Sequence, residues 1–329
     1  MVVNDKTLIH MANEQVSIIN ANTLELHYWL NDGSHSMDAI IQNKCEYEFL
    51  GILKEVCSLF DTEIVIETGP LAEGGIVRWF KILSKKDKRS IVVGLIAGLV
   101  TAVIVTPIST SISKATEIII EKIFEDKELK ELEKESLKLD IELKRQKIEK
   151  SNVIAKKKSN FYEVLESYPK VKQFSILIEN ANKVSFSEER IINKGNFKEF
   201  ILVNDDLEPT EINDAIIEII SPILKKGNYK WMGIYNGEKI SFNMKSNEFK
   251  TLVQVGDIEF KNGSSINCFL KIRKRMDNEG VESIVGYDVI RVNQYFENEN
   301  PIETPEGKKY RQQKEAEKLQ MRFDFDLNE

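Results

Sequence analysis

Chemically reactive side chains gather most densely at Asp32, Ser34, His35, Ser36 and Asp38, in the run NDGSHSMDA. Hydroxyl, imidazole and carboxylate are the parts of an activated nucleophile, provided that a third group holds the base in place. This run sits between a strand-like and a helix-like segment, however. Ser and Asp ahead of a helix ordinarily accept hydrogen bonds from the free amides of its first turn. The sequence therefore predicts a helix cap, with Ser34 or Ser36 as the capping residue, in preference to a catalytic centre. His10 and His27 are the other histidines, which leaves no His/Cys set with zinc-ligand spacing. There is no P-loop, dinucleotide fingerprint, kinase motif or paired-carboxylate signature. The expectation is a protein that is not an enzyme and carries no metal and no cofactor.

Two basic runs suggest ligand chemistry of another kind. Lys271, Arg273, Lys274 and Arg275 lie in KIRKR, and Lys225, Lys226, Tyr229 and Lys230 lie nearby in sequence. Cations beside an aromatic ring can hold single-stranded nucleic acid, whereas lysines at a hairpin end more often protect a sheet edge. A formal charge of −7 and a pI near 5.4 argue against a surface built for duplex DNA. Trp231, Tyr235, Phe242 and Phe269 are expected in a core. Phe323 and Phe325, among acidic residues at the end of the chain, are candidate anchors of a docking peptide.

The uncharged stretch Ile91 to Ser113 stands apart from a chain with 30% charged residues. Its densest part, Ile91 to Ile108, just reaches the ~18 apolar residues at which a membrane span is favoured over a core helix. A single transmembrane helix is therefore predicted. Gly94, Gly98 and Ala102 share one helical face in small-xxx-small spacing and are candidates for association between membrane helices. Thr101, Thr106, Ser109 and Ser113 are candidate pore-lining hydroxyls, and Pro107 predicts a kink or interruption. Arg78, Lys81, Lys85, Lys86, Lys88 and Arg89 precede the stretch, against Lys114, Lys122 and Lys127 after it, which favours a cytoplasmic N-terminal side and a single-pass protein of the bacterial inner membrane. MVVNDKTLIHMANEQ has neither the basic start nor the apolar run of a cleavable signal. Cys45, Cys57 and Cys268 cannot make a disulfide framework.

The elements that must position these groups are read as α+β. A small N-terminal α/β module spans residues 1–83, with a strand at TLELHYWL, a helix to about Phe60, a strand at Glu63 to Glu67 and the apolar run IVRWFKIL. A basic link and the membrane segment follow at 84–113, then a charged helical stalk at 114–158. Its apolar seams, Ile112–Thr116–Ile119–Ile123 and Leu137–Ile141–Ile148, shift phase near Asp126, which predicts a loosely coiled stalk of a parallel homo-oligomer. Residues 159–296 read as a β-rich sandwich or OB-like domain, with a hairpin turn at Asn236 and Gly237, a short helix at Asn247 to Val253 and strands near 257–260, 265–273 and 283–292. The charged tail, 297–329, is expected to be flexible apart from a helix around Gln312 to Gln320.

This order of parts resembles bacterial membrane effectors of anti-phage defence, in particular the channel-forming effectors of Hailong systems. The segments that carry the resemblance are LELHYWLNDGSHSMDAIIQNKC, GLIAGLV and YKWMGIYNGEKISF. The resemblance implies an oligomeric channel in a lipid bilayer, held closed by a nucleotide-derived ligand or single-stranded DNA oligomer made by a partner nucleotidyltransferase. Loss of that ligand on infection would open it. Lys85, Lys86, Lys88 and Arg89 are the candidate ligand-binding cations, since several copies near one axis would concentrate charge. They serve equally well as topology determinants. The alternative is a membrane-anchored scaffold that recruits a soluble partner through its C-terminal domain.

Overall fold

The computed structural model describes residues 21–60, 63–68, 76–84, 91–125, 129–180, 182–186, 188–225, 227, 229–297 and 300–326. The chain divides into two compact units: Met1–Asn204 with Asn278–Val281, and Asp205–Asp277 with Glu282–Glu329. The boundary thus falls well beyond the end of the expected stalk.

In the first unit an antiparallel sheet is ordered β2-β3-β1-β4-β5. Its strands are β1 (Ala21–Leu30), β2 (Ile64–Thr68), β3 (Ile76–Ser84), β4 (Val171–Asn180) and β5 (Arg190–Asn193). The period of two in LELHYWL turns Leu24, Leu26 and Tyr28 to the core, opposite Ile178, Ile176 and Phe174 of β4. Helix α1 (Ala39–Ser58) packs Cys45, Phe49, Ile52, Leu53 and Val56 into the same core. Its cap is Asp38, whose Oδ1 accepts from the amides of Ile40 and Ile41 at 2.9 and 3.1 Å, in place of the expected Ser34 or Ser36. Glu46 of α1 reaches Arg78 of β3 at 2.7 Å.

The predicted transmembrane helix is corrected. Helix α2 (Ile91–Val105) has 15 residues, about 22 Å at ~1.5 Å per residue, against a hydrocarbon thickness of ~30 Å. No helix among the described residues is long and apolar enough to cross a membrane. Residues from Val93 to Ile104 are all buried, and α2 lies against β1, β3, β4 and α1. Its uniform apolarity is that of a helix enclosed on all sides. The helix stops because Pro107 supplies no amide and cannot continue it. The carbonyls freed at that end are met by α5 (Asn152–Ser167). Tyr162 Oη donates to Ile104 O at 2.8 Å and Lys158 Nζ to Thr106 O at 3.0 Å.

The charged stalk is corrected too. Residues 114–158 form α3 (Ser113–Glu125), α4 (Glu131–Glu149) and the start of α5, all folded onto the first unit. Both expected seams are buried within one chain: Ile112, Thr116, Ile119 and Ile123, and Ile141 with Ile148. The phase shift near Asp126 marks the break between α3 and α4, so the helices double back where the sequence pattern suggests one rod. Phe161 and Tyr162 of α5 pack on Phe174, and Tyr162 stacks on Phe200 of the 3-10 helix Lys194–Phe200.

In the second unit, β6 (Asp206–Ser221), β7 (Trp231–Tyr235) and β8 (Glu238–Met244) form an antiparallel run. Helix α6 (Asn247–Val255) then leads to β9 (Ser265–Met276) and β10 (Glu282–Glu297). The strand β10 pairs in parallel with β8 and antiparallel with β9, and β9 returns to β6, which closes five strands on themselves. This is the arrangement of an OB-type barrel. Asn236 and Gly237 have φ of 51° and 81°, which is what a two-residue hairpin turn with the sheet's own twist requires. Trp231, Phe242, Phe249, Cys268 and Leu270 fill the interior. The strand expected near 257–260 is absent: Gly256 ends α6 with φ 87° and the chain turns there.

The tail forms β11 (Asn300–Glu303), paired with β10, and α7 (Pro305–Asp326), so the expected flexible segment is ordered over these residues. Thr304 caps α7 by accepting from the Gly307 amide at 2.9 Å. A Cβ at Gly307 would stand 2.0 Å from Asn293 O, and the Arg291 guanidinium lies 3.4 Å from the Tyr310 ring centroid. The helix expected around Gln312 to Gln320 lies inside α7, and its start at Pro305 is set by docking on β10.

Replacing Tyr162 by Phe strips the donor from a buried carbonyl at the end of α2. The variant should lose ~1–3 kcal/mol of unfolding free energy, read as a lower urea midpoint at unchanged slope. An unchanged midpoint would show that this bond contributes nothing.

Candidate functional site

The break at Pro107 borders a cavity of the first unit. Helix α3 returns along α2 closely enough that a Cβ on Gly98 would meet Ile119 Cδ1 at 2.9 Å. The 106–112 turn joins the two helices, and β5 with the segment before it closes the third side. The result is a cavity of about 870 Å³, lined by Gly98, Thr101, Ala102, Val105, Thr106 and Pro107, by Thr110, Ser111, Ser113, Lys114, Ala115, Ile118, Ile119 and Lys122, and by Ile178, Phe186, Glu188, Arg190, Ile191 and Ile192.

Its chemistry is layered. Ile118, Ile119, Ile178, Phe186, Ile191 and Ile192 give apolar walls, and five hydroxyls form a belt at Thr101, Thr106, Thr110, Ser111 and Ser113. Thr101 is 8% exposed, and its Oγ1 has no hydrogen-bond partner. Burying a hydroxyl without a partner costs roughly 1–3 kcal/mol, and this Oγ1 atom is itself enclosed, so Thr101 lines the cavity without presenting its hydroxyl oxygen to it. Lys114 and Arg190 are exposed on the lining and make no ion pair among the described residues. Lys122 is held by Glu125 at 3.5 Å. Lys114 and Ala115 belong to the first turn of α3, where amides lack helical partners and the helix dipole favours an anion.

A second cavity of about 320 Å³ lies beside the same turn, lined by Val103, Ile108, Ser109, Thr110, Ser111, Ile112, Ile148, Glu149, Ile154, Ala155 and Lys158. Burial lowers the Lys158 ammonium from 10.5 to about 8. Burial would raise the Glu149 carboxyl, but bonds from Ser111 Oγ (2.6 Å) and the Ile112 amide (3.0 Å), with Arg145 at 3.0 Å, hold it below the usual carboxylate range.

The residues singled out in the sequence are distributed unevenly. Thr101, Thr106 and Ser113 come together in the large cavity with Gly98 and Ala102, and Ser109 faces the small one. Gly94 is buried within α2, and the small face that included Gly98 serves the approach of α3. Lys85, Lys86, Lys88 and Arg89 lie outside the described residues. In KIRKR every cation is matched: Lys271 to Glu211 at 2.8 Å, Arg273 to Asp288 at 3.0 Å, Lys274 to Glu282 at 3.2 Å and Arg275 to Asp206 at 2.7 Å. That run is a set of cross-strand pairs rather than an open basic surface. Lys225, Tyr229 and Lys230 are exposed, while Lys226 lies outside the described residues. Asp32 accepts from the Ser34 amide and pairs with Lys170 at 2.9 Å, as a turn does, and His35 joins no catalytic arrangement among the described residues.

Arg190, Lys158 and Tyr162 are site residues that the sequence pattern did not single out. The last two carried a signal: Ile154, Lys158, Phe161, Tyr162 and Leu165 share helical spacing, which puts Lys158 on the core face of α5. Comparison with protein-family models, curated proteins and solved structures finds no match.

The lowered proton affinity of Lys158 has a thermodynamic consequence. Between about pH 8 and 10.5 the unfolded chain binds more protons at this residue than the folded one, so stability must rise with pH across that window. Each tenfold change in proton affinity is worth ~1.4 kcal/mol, so wild type should gain about 3 kcal/mol relative to Lys158→Met from the lower to the upper limit. Paired urea melts across this range check it, and parallel curves would place the ammonium in a well-solvated site.

Proposed function

We propose that the chain is a ligand-controlled, non-enzymatic effector whose large cavity in the first unit takes a nucleotide-derived ligand. The observation that carries this reading is a pair of cations that form no ion pair among the described residues, Lys114 and Arg190, on a lining that also holds Thr and Ser residues and apolar walls. Phosphate oxygens suit Lys114, Arg190 and the first turn of α3. Sugar hydroxyls suit the Thr and Ser belt, and a base suits the Ile and Phe walls. The volume is that of a site for a mono- or dinucleotide. The setting in anti-phage defence, with a ligand made by a partner nucleotidyltransferase and an oligomeric effector released by its loss, rests on the sequence resemblance. A pore built from α2 has no part in this reading, because α2 is short and enclosed.

Isothermal titration with a panel of cyclic and linear dinucleotides and short single-stranded DNA oligomers tests the proposal. Binding of one class should weaken by about tenfold or more in each of Lys114→Ala and Arg190→Ala, the range for a charged hydrogen bond. Thr101→Val should leave the free protein equally or more stable, since it removes an unsatisfied buried hydroxyl at constant shape. Binding that both charge variants leave untouched would place the ligand elsewhere.

A second reading, a scaffold that recruits a soluble protein through the second unit, draws on Ile216, Ile220 and Leu224, which are exposed on β6 and the link after it. The double variant Ile216→Glu/Ile220→Glu should then lose a co-purifying partner, and retention of that partner would remove this reading.

A further inference from the structure

Lys158 has features that the helix-capping role does not use. The residue is 7% exposed, its amine donates to Thr106 O at 3.0 Å, and no carboxylate among the described residues bonds it. It also lines the 320 Å³ cavity, whose apolar part is Val103, Ile108, Ile112, Ile148, Ile154 and Ala155 and whose polar part is Ser109, Thr110, Ser111 and Glu149. A lysine desolvated among apolar side chains and left without an anionic partner is the arrangement that makes an amine nucleophilic near neutral pH. The other charged group on the lining is Glu149, which Ser111, the Ile112 amide and Arg145 hold by hydrogen bonds and an ion pair. Lys156 and Lys157 are neighbours on the same helix, and Lys157 is paired with Glu48 at 3.8 Å.

We propose that Lys158 is a covalent ligand site, at which the amine condenses with a small uncharged aldehyde admitted to the second cavity. Nζ bonds to the carbonyl carbon, and the carbonyl oxygen leaves as water with the two hydrogens of the neutral amine, giving an imine. Once protonated, the imine keeps one N–H for Thr106 O, so the end of α2 stays capped. Glu149 sets the ligand class, because a carboxylate on the same lining disfavours an aldehyde that carries its own negative charge. The site is separate from the large cavity and does not depend on the ligand proposed there.

The test is reductive trapping on the intact wild-type protein with butanal and cyanoborohydride, followed by peptide mass spectrometry. At about pH 7.5 an amine that titrates near 8 is neutral roughly two hundred times more often than an ordinary lysine. Even with restricted access, Lys158 should be alkylated at least about tenfold faster than the median surface lysine. Glyoxylate should label it more slowly than butanal. The variant Ile154→Trp, checked for fold by circular dichroism, fills the cavity while keeping the amine and should lose the fast labelling. Labelling of wild-type Lys158 no faster than at surface lysines overturns the proposal, as does equal labelling by glyoxylate or in folded Ile154→Trp. If that variant does not fold, the wild-type rates decide alone.

Discussion

The first unit depends on enclosing a helix that has no polar side to show to water. Helix α2 can be buried from Val93 to Ile104 because its intrahelical bonds satisfy its own amides and carbonyls, all but those at the ends. The C-terminal end is the expensive one. Tyr162 and Lys158 reach it from α5, and Lys158 brings positive charge to the negative pole of the helix. With that end capped, the sheet, α1 and α3 can close around the helix. Without it, carbonyls would face an apolar interior.

Both cavities follow from the same arrangement. Pro107 stops α2, the chain needs several residues to reverse, and side chains rich in hydroxyls fill the reversal. Gly98 lets Ile119 of α3 approach closely, and the large cavity lies between these helices and β5. The hydroxyls and the proline thus reflect one event in the backbone. The large cavity opens on one side of the turn and Lys158 stands on the other. A change at the turn would therefore be felt in the capping bonds and in both cavities, which gives ligand binding a physical route to the core.

The two units solve the burial problem differently. The second closes five strands into a barrel, so its central strands have no free edge, and it covers part of the remainder with β11 and α7. Its basic strand is balanced residue by residue across neighbouring strands, which explains how a cluster that looks cationic in sequence contributes no open cationic surface. The cations on the lining of the large cavity are the electrostatic contrast.

Local pattern was enough for much of this chain. Alternation in LELHYWL, the Asn-Gly turn and the capped start of α1 are each decided within a few residues, since strand pleat, positive φ and capping are local constraints. The spacing of Ile154, Lys158 and Tyr162 likewise carries a lysine onto a core face. What the residues could not decide was the surroundings of the apolar helix. Lipid and protein interior are both apolar, and the ~18-residue apolar stretch Ile91 to Ile108 suits either until Pro107 cuts the helix to 15 residues and distant strands and helices cover it. The seams of α3 and α4 posed the same ambiguity, because an apolar stripe fits another chain or its own fold equally well. Tertiary structure decided both, by bringing Ile119 to Gly98, Tyr162 to Ile104 and Arg190 to the cavity from positions far apart in the chain.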